Sequence, residues 1–322
     1  YGPGQLAHYG EVIARGRRGE PGAAEELRAL VTDDLYPVLV RATALDLLGA
    51  YPGRETQQLL EIALVDDEAI IRRTAVSMLS YADPAKLARA LSLALEDPVK
   101  SVRTEAANRL AGELTSYLSG AKLERFETVL QEYRDSMLYS ADFAFGRYNL
   151  GNLHNTLGEQ EDALREYEAA IRIDAEFFPA KANLALLYNS RGENEKAEKL
   201  LREILKSQPE MYDIAYNLAL LLVEMGKPDE AMPFLESASA GMPERGRIHY
   251  NLGLLYQQQQ NIIMAESKLR QALETDPQSL EFQYGLADHY IKRGLLQQAL
   301  PIVELMIQTH PEEQIGGQMM QF

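Results

Sequence analysis

Ala163, Ala197, Ala231, Ala265 and Ala299 stand 34 residues apart without a slip. A fixed period of this length marks helical repeats, each too small to bury its own apolar face, stacked into one array. Leu150, Leu184, Leu218, Leu252 and Leu286 keep the same interval. So do Gly158, Gly192 and Gly226, with Gly294 after one skipped unit, and Pro209, Pro243, Pro277 and Pro311. Such arrays build a long surface from many similar contacts. The function they predict is holding a partner, ahead of catalysis.

Five units of 34 residues begin at Ala144, Phe178, Tyr212, Gly246 and Leu280. Apolar or small residues recur at positions 4, 7, 8 and 11 of each, the spacing of one helical stripe. Position 8 is always small (Gly151, Ala185, Ala219, Gly253, Ala287) and position 20 always alanine, so the two helices of a unit, A and B, can approach closely. A glycine at position 15 supplies the left-handed turn that ends helix A. Gln260 replaces it in the fourth unit, where the turn is expected to be strained or one residue longer. A proline at position 32 closes helix B, with Ala175 the exception in the first unit. The pattern G/A-x-x-Y at 8 and 11, G at 15, A at 20 and P at 32 resembles the tetratricopeptide repeat across residues 144–311. The resemblance implies a right-handed superhelix of helix pairs whose A helices line a concave groove.

A second period runs earlier. Val40-Arg41, Ile71-Arg72 and Val102-Arg103 are spaced by 31, as are Ala44, Ala75 and Ala106, and Leu48, Leu79 and Leu110. Asp66 and Asp97 precede their arginines by six residues, while the first unit has Leu35 there and Asp34 one earlier. Each unit reads as two helices, for example Glu55–Leu64 and Glu68–Ser80. The aspartate can cap amides at the start of the second helix, and the arginine can ladder with the carboxylate of its own or the next unit. This pattern resembles HEAT repeats over residues 21–112. The expected organisation is an N-terminal extension (1–20), three HEAT-like pairs (21–112), a bridge (113–143), five tetratricopeptide units (144–311) and a loose tail (312–322). In the bridge, one helix over Ala121–Met137 carries Leu123, Phe126, Val129, Leu130 and Tyr133 to cover the edge of the first 34-residue unit. The fold class is therefore all-α, an α-solenoid.

The chain is acidic throughout. Its formal charge is −16 and its isoelectric point near 4.9, with 16 basic and 22 acidic residues before position 144 and 16 and 26 after it. Nucleic acid and anionic lipid are unsuited partners for such a surface. No apolar run approaches the roughly 18 residues that span a bilayer. There is no cysteine, which removes disulfides, thiolate metal sites and covalent haem attachment from these residues. The chain opens at Tyr1 with neither a Met nor a signal peptide and reads as a mature or excised piece.

Position 6 of the 34-residue unit is Asn149, Asn183, Asn217 and Asn251, then Gly285; position 5 is Tyr148, Ala182, Tyr216, Tyr250 and Tyr284. Positions 2, 5, 6, 9, 12 and 13 face away from the core stripe. In the tetratricopeptide resemblance that face is the groove wall. An amide both donates and accepts, so an asparagine ladder can pair with the main chain of an extended peptide. Tyrosines one residue earlier would add flat contact area, and Asn152, Asn155 and Asn189 extend the polar strip. The same Tyr-Asn pair is also what an average repeat of this type carries, so the ladder has two readings, groove or fold. The carboxylate clamp of chaperone-binding relatives needs basic residues where this chain has tyrosines, with only scattered basics such as Arg247 and Lys292.

No nucleophile elbow, phosphate loop or dinucleotide motif occurs. The histidines, His8, His154, His249, His289 and His310, show no metal-ligand spacing and read as structural. The run Gln257–Gln260 reads as a solvated helix end. No catalytic residue, cofactor or metal is expected. A protein or peptide partner is, and a homodimer through the last repeat or the bridge helix is a further arrangement. The order of the two arrays, with Tyr1-Gly2-Pro3-Gly4, His8-Tyr9-Gly10-Glu11 and Arg15-Gly16-Arg17-Arg18-Gly19, resembles the C-terminal region of exported multihaem c-type cytochromes. That resemblance implies a periplasmic docking domain beside a haem domain not contained here, and it carries no redox activity onto these residues.

Overall fold

The computed structural model describes residues 8–320, so the opening motif Tyr1-Gly2-Pro3-Gly4 lies outside them. Every regular element among the described residues is helical, without a strand. The chain divides into two compact units, 1–174 and 175–322.

The first unit holds α1 (Tyr9–Arg17), α2 (Ala23–Thr32), α3 (Val38–Leu47), α4 (Arg54–Ala63), α5 (Ala69–Met78), α6 (Pro84–Ala94), α7 (Lys100–Leu110), α8 (Ala121–Leu138), α9 (Ala144–Thr156) and α10 (Gln160–Ile173). The three 31-residue units are α2/α3, α4/α5 and α6/α7. Their second helices stack, α3 on α5 and α5 on α7, with Ala44, Ala75 and Ala106 fully buried along the stack. Leu27, Leu45, Ile71, Leu91 and Leu110 fill the core between the layers. Each such side chain contributes roughly 1.5–3 kcal/mol by leaving water. The segment expected as an extension contains α1, and Val12 joins the same core.

The arginine ladder runs mainly to the next unit, although Arg41 Nη2 also lies 3.1 Å from Asp34 of its own unit. Arg41 Nη2 reaches Asp66 at 2.8 Å, and Arg72 holds Asp97 through Nε and Nη2 at 2.7 and 3.0 Å. Arg103 Nε reaches Glu132 of α8 at 2.8 Å, so the bridge helix supplies the last rung. The aspartates also accept from the backbone two residues on, Asp66 from Glu68 and Asp97 from Val99, which fixes the turn into each second helix.

Helix α8 serves two neighbours. Phe126, Val129 and Leu130 enter the core of the preceding array, while Met137 packs with Ala141 and Leu150 beside Tyr133. Most of its stripe therefore closes the 31-residue array, and only its C-terminal turns cover the first 34-residue unit. Leu153 of α9 belongs to the same core as Leu27. Position 143/144, where the repeat period changes, is not where compactness changes.

The second unit holds α11 (Phe178–Ser190), α12 (Asn194–Ser207), α13 (Tyr212–Glu224), α14 (Pro228–Gly241), α15 (Gly246–Gln258), α16 (Ile262–Thr275), α17 (Leu280–Lys292), α18 (Leu296–Thr309) and α19 (Gln314–Met319). Helices α11, α13, α15 and α17 are the A helices; α12, α14, α16 and α18 are the B helices. Pro209, Pro243, Pro277 and Pro311 each fall two residues past the end of a B helix, where the missing N–H and fixed φ forbid continuation.

The turn from A to B is the same in every unit. Gly192, Gly226 and Gly294 adopt φ of 75°, 72° and 70°, and the next residue's N–H bonds back to position 11 of helix A: Glu193 to Tyr188, Lys227 to Leu222 and Leu295 to Tyr290. Gln260 takes this left-handed place at φ 60°, and Asn261 bonds back to Tyr256 in the same register. The fourth turn is thus not one residue longer. It holds a residue type that crowds its own carbonyl there, at about 1–2 kcal/mol. The tail expected to be loose forms α19, where Gly316 is buried against Ile307.

Candidate partner-binding face

The residues of the Tyr/Asn strip fall on both units. Tyr148, Asn149, Asn152 and Asn155 lie on α9 in the first. Tyr148 is half-buried with its ring 6.1 Å from that of Tyr167, and Asn152 Oδ1 accepts from Tyr167 Oη at 2.8 Å. Asn149 and Asn155 are exposed.

In the second unit the strip is largely used between repeats. Tyr216 and Tyr250 are only 9% and 8% exposed, which corrects the expectation that they offer open contact area. Asn251 Nδ2 donates to Tyr216 Oη at 3.1 Å, one repeat's position 6 bonding the previous repeat's position 5. The Tyr250 ring in turn lies against Phe282, centroids 5.4 Å apart. Asn189 Nδ2 reaches Asn194 Oδ1 at 3.2 Å and Glu224 Oε2 at 3.0 Å. Asn183 is half-buried and has a partner of its own. Asn217 is half-buried without a hydrogen bond among the described residues, and Tyr284 is exposed.

A feature that the Tyr/Asn reading passed over lies at position 9. Leu186, Leu220 and Leu254 are 50%, 39% and 40% exposed, each on an A helix and 34 residues from the next, with Val223 exposed beside them. Position 9 lies outside the 4-7-8-11 stripe, so these leucines face away from the core that the stripe builds. Position 9 is among the positions that the 34-residue period places on the outward face, but the pattern of tyrosines and asparagines draws attention to positions 5 and 6 instead. Arg245 and Arg247 stand at the first turn of α15, over the rings of Tyr216 and Tyr250 at 5.4 and 5.9 Å, and pair with Asp213 and Glu281. Burial pushes the phenols of Tyr216 and Tyr250 above their ordinary value, so both stay protonated and able to hydrogen bond.

The histidines occupy varied settings. His154 Nδ1 meets Glu159 Oε2 at 2.5 Å across the turn after α9, a pairing that sequence spacing did not suggest. Asp162 completes a group whose ligand atoms lie within 4.8 Å of one another. Arg134 lies 3.2 Å from Glu159 and Arg165 pairs with Asp162, so both carboxylates are neutralised and little ligand charge remains for a cation. His249 is buried in a relay: its Nε2 donates to the Pro243 carbonyl at 2.8 Å, and its Nδ1 accepts from Ser239 Oγ at 3.1 Å. Lys268 Nζ donates to Ser239 at 3.1 Å, and burial holds its amine below the usual value. His310 Nε2 donates to the Gln278 carbonyl at 2.7 Å. No helix among the described residues is long and apolar enough to cross a membrane.

Tetratricopeptide-repeat family models match residues 146–177 and 246–279, 182–244, and 264–317, together just over half of the chain. Among solved structures, YrrB, described as a TPR protein with an unusual peptide-binding site, superposes with a TM-score of 0.51 at 20% identity, over 58% of this chain and 97% of that one. MamA from Desulfovibrio magneticus RS-1 gives 0.49 at 19% identity, over 53% and 96%. The first likeness shows the fold alone. No curated protein matches the chain in sequence.

Proposed function

Because the chain belongs to the tetratricopeptide-repeat family, we propose that it is a non-catalytic interaction scaffold whose second compact unit holds an extended segment of a partner protein along the outward face of α11, α13, α15 and α17. The observation that carries this reading is the row Leu186, Leu220 and Leu254, exposed on successive A helices. Burying such a row under a partner would gain about 25 cal/mol for each Å² removed from water. Asn217 beside the row supplies an uncommitted amide for the partner's main chain. The peptide-binding site for which YrrB is described is consistent with this use of the fold.

Selection of displayed random peptides on the immobilised full chain tests the reading. Peptides should be recovered by the wild type and lost with Leu220→Arg, while Leu39→Arg, an exposed site of the first unit, leaves recovery unchanged. Indifference of the selected peptides to Leu220→Arg would move the partner surface elsewhere.

In the first unit the Arg–Asp ladder supports a HEAT-type assignment of α2–α7, with a spacing rather than a binding role. The multihaem-cytochrome setting and its periplasmic location would make this scaffold a docking element beside a haem domain. Co-purification of haem absorbance with the protein from its native source tests that setting. Self-association is the alternative favoured by exposed Leu296 and Leu300 on α18, and a single-chain mass of 36.1 kDa at all concentrations in equilibrium sedimentation would exclude it.

A further inference from the structure

Gln260 is the one non-glycine residue with positive φ among those described. Backbone strain of this kind persists where the surrounding structure over-determines it, and it concentrates at binding sites. Gln260 lines a cavity of about 780 Å³ formed by the end of α15, the turn after it and the end of α17, together with Leu254, Gln257, His289, Lys292 and Arg293.

The wall of this cavity is unfinished. His289 is 3% exposed, and Gln257 Nε2 donates to its Nδ1 at 2.8 Å. With Nδ1 accepting, the ring proton sits on Nε2, and that buried atom has no partner. A buried N–H left in this state costs free energy that an oxygen acceptor would recover. Lys292 is held by Asp288 on its own helix at 2.7 Å. Arg293 is nearly uncommitted, with Glu266 at 3.7 Å, beyond hydrogen-bond distance. No acidic residue lines the cavity, in a chain whose formal charge is −16.

We propose that this cavity receives an acidic side chain, Asp or Glu, of the partner segment lying on the leucine row. The inference rests on that reading of the face and adds the chemistry of one position in the partner. Leu254 belongs both to the row and to the cavity, so a segment running along the row brings a side chain over the cavity rather than its own end. The carboxylate accepts from the Gln260 amide and the Arg293 guanidinium, which are donors suited to it. Nε2 of His289 is covered in the free protein and gains its acceptor where side chains of the cavity wall give way to the bound carboxylate. Gln260 is then explained: glycine would relieve the turn but would leave the cavity without that amide.

The test uses peptides recovered from a random displayed library on the full chain, resynthesised with an amidated C-terminus and a fluorescent label. Asp or Glu should be enriched at one register. Changing that residue to Asn or Gln should weaken binding about tenfold, the size expected for a hydrogen bond to a charged group. Gln260→Gly and Arg293→Met should each weaken the acidic peptide similarly and leave its amide counterpart unaffected. Gln260→Gly should meanwhile raise the melting temperature, so loss of binding cannot be ascribed to unfolding. Peptides that depend on Leu220 but show no acidic preference, or ignore Gln260→Gly, would overturn the cavity assignment and leave the groove standing. Binding that needs a free C-terminal carboxylate would overturn the side-chain occupant. Failure to recover any Leu220-dependent peptide would remove both readings together.

Discussion

The ring of Tyr250 occupies the space that a side chain at Gly285 would need: a Cβ built there lies 2.5 Å from Tyr250 Cε2. Gly285 stands where the four preceding repeats have asparagine, so the end of the asparagine ladder follows from how Tyr250 is seated. Tyr216 leaves room for Asn251 and bonds it, whereas Tyr250 lies against Phe282 and takes the room itself. The same exchange of volume occurs inside the first 34-residue unit, where a Cβ on Gly151 would meet the Tyr167 ring at 2.6 Å.

Gly285→Asn should therefore destabilise the chain although it restores the repeat's usual residue. Overpacking a close contact costs about 1–3 kcal/mol. Urea unfolding monitored by helical circular dichroism should show a lower midpoint. An unchanged midpoint would mean that Tyr250 rotates away freely.

Asn251 and Asn217 occupy the same position of adjacent repeats and should behave differently. Asn251→Ala removes the partner of the nearly buried Tyr216 hydroxyl and should cost about 1 kcal/mol. Asn217→Ala removes no internal bond and should leave stability within about 0.5 kcal/mol. Equal midpoints for the two variants would contradict the Tyr216–Asn251 bond.

How much of this was legible in the sequence differs from element to element. The 34-residue period located every A and B helix because Ala163, Ala197 and their counterparts sit where two helices touch, a constraint that each repeat meets independently. The arginines and aspartates of the ladder were legible, but both the same and the next unit were open as partners. Stacking of α3, α5 and α7 brings Arg41 and Arg72 to the aspartate of the next unit, while Arg41 keeps Asp34 of its own as well. The last rung on Glu132 left no periodic signal. Tyr216 and Asn251 were assigned to an open wall because a period identifies which face a residue occupies, not whether the neighbouring repeat already covers it. Helix α19 left no periodic trace, since Gly316 is buried for its smallness rather than its hydrophobicity.

The Arg72–Asp97 pair predicts a specific response to acid. Hydrogen bonds from Arg72 hold the Asp97 carboxyl below its ordinary pKa. A depressed folded value means that the pair stabilises the fold above the unfolded carboxyl value of about 3.9, and that the contribution is lost as pH falls through the folded value. Wild type should thus exceed Asp97→Asn in stability at pH 7 and 5, with the gap closing on going to pH 3. A gap that stays constant across this range would show that the ion pair is not the origin of the difference.

Gln260 offers a way to separate backbone strain from contacts. Side chains built at Gly192 and Gly226 meet nothing within 4 Å, so a change between glycine and glutamine at position 15 acts mainly through φ. The left-handed conformation costs a non-glycine residue about 1–2 kcal/mol, offset in part by the roughly 0.4–1 kcal/mol of unfolded-chain entropy that glycine adds. Gln260→Gly should consequently stabilise the chain by about 0.5–1 kcal/mol, and Gly226→Gln should destabilise it by a similar amount. Denaturation midpoints of the two single variants and of the variant carrying both changes measure this directly. The two sites lie on different repeats and share no partner, so their effects should add and the combined variant should return close to the wild-type value. A loss of stability in Gln260→Gly would show that contacts made by the glutamine side chain within the free protein outweigh the strain of its turn.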